Sequence, residues 1–136
     1  MQLAAARLEV ALRPFDRVAA RLGRPQAARV PIASPPPSDR LAAAQAAQAA
    51  RAIGWAVGVA APLVPFRSLC LEKALAVTAM LRRRGIGAVT RFGVASEGAP
   101  GLAAHAWVEA AGVEVTGYPV PASLQEIGCF VSEPRA

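Results

Sequence analysis

"LCLEKALAVTAMLRRRGIGAVTRFGV", residues 69–94, changes its hydrophobic period in mid-course. Cys70, Ala74, Val77 and Leu81 recur at helical spacing, and Leu71, Leu75 and Met80 widen the stripe, so 69–85 reads as a largely buried helix. Arg82, Arg83 and Arg84 meet the negative pole of its dipole, and Gly85 supplies a left-handed stop, so the arginine triplet needs no ligand to explain it. From Ile86 the period falls to two: Ile86, Ala88, Thr90, Phe92 and Val94 alternate with Gly87, Val89, Arg91 and Gly93, the pattern of a strand. A buried helix running straight into a strand predicts an α+β domain in which that helix packs on an antiparallel sheet of three or four strands.

Upstream, the chain reads as helical. Leu3, Leu8, Leu12, Phe15, Ala19 and Leu22 form an amphipathic stripe over 2–23, with Arg7, Arg13, Arg17 and Arg21 on an ordinary solvated face. Pro14 must bend or split this helix, and Gly23 ends it. "RPQAARVPIASPPPS", from residue 24, reads as an extended connector, because each proline removes a donor and disfavours helix before it. Ser38 or Asp39 then caps the alanine-rich helix "RLAAAQAAQAARAIGWAVG". Two parts are expected: an amphipathic helix and connector over 1–37, and a core over 38–136.

Downstream, "ASEGAPG" (95–101) is a loop, and "LAAHAWVEA" and "VEVTGYPV" flank Ala111–Gly112 as a β-hairpin. The tail "LQEIGCFVS" (124–132) is expected to add a short edge strand. No internal repeat is visible.

Composition bounds the function. At 136 residues and 54% hydrophobic, the chain suits one domain with a real core. Its charge is +6, but the arginines are scattered rather than interleaved with exposed aromatics, which argues against nucleic acid. The longest apolar run, 52–66, contains glycines and prolines and falls short of the roughly 20 residues a bilayer span needs, which argues against membrane insertion. The first ten residues make a poor secretion signal. Two cysteines, Cys70 and Cys129, are too few for a disulfide framework or a zinc site, so a reducing cytoplasm is expected, with no metal and no cofactor.

Cys70 falls in the first turn of its helix, with Ser68 as cap, a position from which a cysteine can serve as nucleophile. A thiolate nucleophile needs a base within hydrogen-bond reach, and the only histidine is His105, 35 positions later on a strand. Against this stands the plainer reading, in which a free cysteine is a small buried hydrophobe and a lone histidine is a satisfied core residue. Spacing alone does not decide between them.

The wider pattern does carry a resemblance. "CLEKALAVTAMLRRRGIGAVTRFGV", a Gly-containing loop and "AHAWVEAAG" resemble the B2 peptidases of lasso-peptide biosynthesis, bacterial members of the transglutaminase-like, papain-like cysteine peptidase group. The upstream "LRPFDRVAARLGRP" and the proline connector are similar too. The resemblance implies that Cys70 attacks the bond joining leader to core in a lasso precursor peptide, with His105 as base and then acid. N–H groups opening the Cys70 helix would stabilise the oxyanion. It also implies two protein partners, a separate leader-recognition protein and an ATP-dependent lasso cyclase.

One position departs from that family. An aspartate usually stands about twelve residues after the histidine to orient the imidazole, and here Gly117 stands there. If the hairpin loop has three residues, 110–112, His105 lies opposite Gly117; a two-residue loop brings Tyr118 opposite and Thr116 diagonal. The orienter is thus left among Thr116, Tyr118, Glu114, a backbone carbonyl and water. Trp107 shares a strand face with His105 and is expected either to wall the site or to pack the core, Glu109 continues that face towards solvent, and Cys129 is structural. Two alternatives to hydrolysis stay open: acyl transfer to an amine, and a catalytically inactive precursor-binding module.

Overall fold

The computed structural model describes residues 2–12, 15–26, 40–63, 70–95 and 104–133. In chain order these form α1 (Gln2–Leu12), α2 (Phe15–Ala20), β1 (Arg24–Gln26), α3 (Arg40–Ala60) continuing into a 3-10 turn (Ala61–Leu63), α4 (Cys70–Arg83), β2 (Ala88–Ala95), β3 (Ala104–Ala110), β4 (Val113–Thr116) and β5 (Leu124–Ser132). α1 ends at Leu12 and α2 begins at Phe15; Pro14, Ser38, Asp39 and Ser68, and most of the connector and the 95–101 loop, lie outside the described residues.

The fold is α+β, as the change of period predicts. Five strands, two more than the lower expectation, pair antiparallel in the order β1-β5-β2-β3-β4. Two expectations are corrected. Arg24–Gln26, read as connector, pairs with β5 and forms the sheet edge, because an extended Pro-containing segment is compatible with an edge strand. The tail is not an edge strand: β5 spans nine residues and lies inside the sheet between β1 and β2. Its register shifts at Phe92/Gly93, and such a bulge interrupts the strict alternation by which a strand is recognised.

α4 ends as its sequence dictates. The N–H of Gly85 bonds the carbonyl of Arg82 and that of Ile86 bonds Leu81, each at 3.0 Å, with Gly85 at φ 71°. Ile86 is consumed in this stop, so β2 begins at Ala88 rather than at residue 86. Arg82 serves as a tie, donating to the Arg21 carbonyl at 2.8 Å and approaching Ser132 Oγ at 3.4 Å.

α1, α3 and α4 share one core with the inner face of the sheet, to which Leu3, Leu22, Ile53, Val77, Leu81, Ala106 and Val108 contribute. Thr78 Oγ1 on α4 meets Thr90 Oγ1 on β2 at 3.4 Å inside this layer. α3 covers the outer edge of β4 at very close range, since a Cβ at Gly54 would stand 2.4 Å from the Val115 carbonyl oxygen. That contact, with the antiparallel β3–β4 hairpin, brings α3, the start of α4 and the sheet edge around one cleft.

Leu81 is fully inaccessible. Leu81→Ala is therefore expected to destabilise the fold by about 2–5 kcal/mol, read as a lowered midpoint in chemical denaturation; a loss below about 1 kcal/mol would contradict this packing.

Candidate active site

Cys70 is the first residue of α4 and is half-buried. The opening turn of an α-helix leaves its N–H groups without intrahelical acceptors and carries the positive pole of the dipole, so the thiol sits where negative charge is favoured. Lys73, one turn on, lines the same cleft as Cys70. Glu72 is fully buried in this turn, which hydrophobic periodicity gave no means of foreseeing.

His105 is the second residue of β3, opposite Gly93 of β2. Its Nε2 lies 2.7 Å from the carbonyl oxygen of Gly117. A carbonyl can only accept, so Nε2 carries the hydrogen and Nδ1 of the neutral ring is left with its lone pair free. Nδ1 is buried and has no hydrogen-bond partner among the described residues, Cys70 included. Leaving a buried acceptor unpaired costs about 1–3 kcal/mol. The ring stacks on Trp107, with centroids 6.1 Å apart and planes 22° from parallel.

Cys70 and His105 line a single cleft of about 710 Å³. Gly54 and Gly58 of α3 form one wall, and Glu114, Thr116, Gly117, Tyr118, Pro119 and Pro121 form much of the other. Trp107 is buried beneath the ring and is not among the residues lining the cleft.

The hairpin register explains how Gly117 reaches the imidazole. The turn has two residues, Ala111 and Gly112, and pairs Ala110 with Val113 and Glu109 with Glu114. The register then shifts between Val108 and Glu109, so that Val108 faces Thr116. β4 ends there, and Gly117, at φ 87°, turns the chain so that its own carbonyl meets His105. A side chain has no room at this point: a Cβ at Gly117 would stand 2.5 Å from the Ala106 carbonyl oxygen and 2.7 Å from Trp107 Cβ. Of the five orienters left open by the sequence, the observed partner of Nε2 is the backbone carbonyl. Thr116, Tyr118 and Glu114 line the cleft, but the contact with Nε2 is made by Gly117.

Glu109 corrects an expectation. It is not turned out to solvent but is half-buried and ion-paired with Arg91, whose Nη1 also meets Glu126 at 3.2 Å. Burial works against the Arg91 charge, yet the bonds and charges of Glu109 and Glu126 outweigh it and raise the guanidinium pKa. Burial, reinforced by Glu109 and Glu114, also pushes the Tyr118 phenol upward. Tyr118 is therefore a neutral wall of the cleft at physiological pH. Cys129 is buried, and neither it nor Cys70 is in a disulfide.

Among the described residues, no group of three or more His, Cys, Asp or Glu side chains is placed to hold a metal ion, and no helix is long and apolar enough to cross a membrane.

A family model described as the transglutaminase-like superfamily matches residues 10–128, a span that includes both Cys70 and His105. The chain belongs to the transglutaminase-like superfamily. That superfamily includes cysteine peptidases and transglutaminases, and the helices on a five-stranded antiparallel sheet fit its papain-like core. No curated protein and no solved structure matches the chain. In this transglutaminase-like domain, then, the imidazole is held by a main-chain oxygen at the position where the sequence lacks an acid.

Two expectations follow for this domain. Because His105 is the only histidine, its nitrogen NMR signals are unambiguous, and the neutral ring should be the Nε2–H tautomer. Gly117→Asp should not create a triad; it should collide with Ala106 and Trp107, lower thermal stability by about 1–3 kcal/mol and abolish that tautomer preference. A stable G117D protein with an unchanged imidazole spectrum would contradict the geometry. The second expectation concerns Tyr118, the only tyrosine. Its folded pKa is raised, so the folded state holds a proton that the unfolded state releases near pH 10, and this contribution to stability is full below pH 10 and is lost as pH rises above it. Absorbance at 295 nm should accordingly show no phenolate near pH 10, with ionisation accompanying unfolding at higher pH.

Proposed function

We propose that this transglutaminase-like protein is a cysteine endopeptidase that removes the leader peptide from a ribosomally made lasso-peptide precursor. The observation that carries the catalytic half of this reading is the cleft lined by both Cys70 and His105, in which Gly117 holds His105 by Nε2 and leaves the buried Nδ1 without a partner among the described residues. The lasso-peptide half rests on the Cys-Leu helix start, the Arg-Gly-Ile helix end and the His-Ala-Trp-Val-Glu strand.

The chemistry follows from these groups. His105 Nδ1 takes the Cys70 proton, giving a thiolate–imidazolium pair. The thiolate adds to the carbonyl carbon at the leader–core junction, and N–H groups of the first turn of α4 receive the oxyanion. Collapse breaks the C–N bond as imidazolium Nδ1–H protonates the leaving amine, which is the new N-terminus of the core. Water, deprotonated by the same nitrogen, then releases the leader as its carboxylate and restores the thiol. Thiol and Nδ1 are not hydrogen-bonded to each other, so the proton transfer requires the two side chains to close that gap, and catalytic hydrogen bonds commonly tighten in the complex with substrate.

A main-chain carbonyl orients the ring without adding charge, so the imidazolium gains less support than from a carboxylate. Cysteine tolerates this better than serine, because its thiolate is the stronger intrinsic nucleophile. The same observation weakens the inactive-module reading, whose motive was the missing acid. Acyl transfer stays the rival reading, since the superfamily also includes transglutaminases. The natural setting of the proposal is the reducing cytoplasm, where a separate leader-recognition protein delivers the precursor and a lasso cyclase closes the ring.

Incubation of precursor peptide with this protein and its leader-recognition partner, followed by mass spectrometry, tests the reading. Two fragments summing to precursor plus one water are expected, whereas loss of ammonia with a crosslinked product would establish acyl transfer instead. Cys70→Ala should abolish cleavage and His105→Ala should slow it by about 10³-fold or more. Cleavage that persists in the Cys70→Ala protein would overturn the mechanism.

A further inference from the structure

Gly58 is the residue of α3 for which packing supplies no reason. A glycine inside a helix costs roughly 0.5–1 kcal/mol relative to alanine, and α3 uses alanine at ten of its 21 positions. Gly54, one turn earlier, is required by the close approach of α3 to β4, where a Cβ would collide with the Val115 carbonyl oxygen. At Gly58 a Cβ would meet nothing within 4 Å, and the backbone is ordinary helix. Stability alone therefore favours alanine here. What the missing side chain does leave is space, and that space opens into the cleft shared by Cys70 and His105.

Among the described residues, α3 lines the cleft with Gly54 and Gly58 alone. Across from them Val115, Pro119 and Pro121 add hydrocarbon and Tyr118 a neutral ring, while the charged lining residues, Lys73 and Glu114, come from α4 and β4. A substrate side chain entering over Gly58 would thus meet bare helix backbone that offers it no charge, which favours a large hydrocarbon or aromatic group.

We infer that the space over Gly58 is a specificity subsite, taking a bulky apolar side chain of the peptide substrate next to the bond that Cys70 attacks. This rests on the peptidase reading, because it supposes an extended peptide acyl donor at Cys70. Gly58 is then a specificity-determining residue that touches substrate through its absent side chain. Enlarging it narrows the subsite from one wall while leaving the thiol, the imidazole and the Gly117 carbonyl in place.

The two readings separate by covalent labelling, which needs a reactive Cys70 but no turnover. The probes are two dipeptidyl chloromethyl ketones, one with phenylalanine and one with glycine at the residue adjoining the reactive carbon. In each, the Cys70 sulfur displaces chloride to form a thioether, and peptide mapping locates the adduct. Cys129 is 2% exposed, so modification is expected at Cys70. In the unaltered protein the phenylalanine probe should react at least about 10-fold faster than the glycine probe, a difference of about 1.4 kcal/mol. The ratio should fall stepwise in Gly58→Ala and Gly58→Leu, reaching about one in the latter. Far-ultraviolet circular dichroism and thermal melts accompany each variant, and Gly58→Ala, which adds one methyl group in open space, guards against misfolding of the larger substitution. A phenylalanine preference that survives in the folded Gly58 variants overturns the subsite alone. A protein that neither probe labels at Cys70 overturns both the subsite and the peptidase reading.

Discussion

The hydrogen bond from His105 Nε2–H to the Gly117 carbonyl is the constraint on which the candidate site depends. It decides the tautomer, and through the tautomer which nitrogen can act as a base. It also ties β3 to the segment leaving β4 beyond the last paired residue, so the wall of the cleft and the orientation of the ring are set by one contact. An acidic side chain could provide the same direction from a greater distance. Here the main chain does it by coming close, which is possible only because the position has no Cβ and accepts a positive φ.

Close approach recurs on the other side of the cleft, where α3 lies against the Val115 carbonyl through Gly54. The two glycine contacts work on the same short strand, β4, from opposite ends of the problem: one holds a helix to its edge, the other releases its chain towards His105. Between them stands a polar ring with one satisfied and one unsatisfied nitrogen. Such an arrangement is less stable than an apolar filling of the same volume, and clefts that perform chemistry are where proteins tolerate it.

Superfamily membership and the site constrain each other. The match over residues 10–128 spans Cys70 and His105, and the superfamily includes both cysteine peptidases and transglutaminases. The cleft brings a thiol and an imidazole to one surface at the opening turn of α4. The outer face of the sheet carries Arg91, Glu109 and Glu126 as an ion-paired group, with Trp107 and Cys129 opposite Arg91 in the register, and Trp107 in turn stacks on the His105 ring.

Much of this was legible from sequence because it is local. The 69–94 stretch declares a helix, its glycine stop and a strand through spacing alone, and Cys70 and His105 are singled out by residue type and by the elements that bear them. The α+β class follows from the same pattern. What the sequence could not decide are the long-range choices. A three-residue run such as Arg24–Gln26 has too little period to be recognised as a strand until β5 pairs with it, and β5 looked like an edge because nothing in its own residues says who its neighbours are. Glu109 looked solvated because its partner, Arg91, is distant in the chain. The orienter was the hardest of all: a one-residue register shift at Val108/Glu109 and a positive φ at Gly117 bring a carbonyl, which every residue possesses, to the one nitrogen that needs it. Side-chain chemistry is written in the sequence, but a backbone atom acquires a role only when tertiary structure puts it in place.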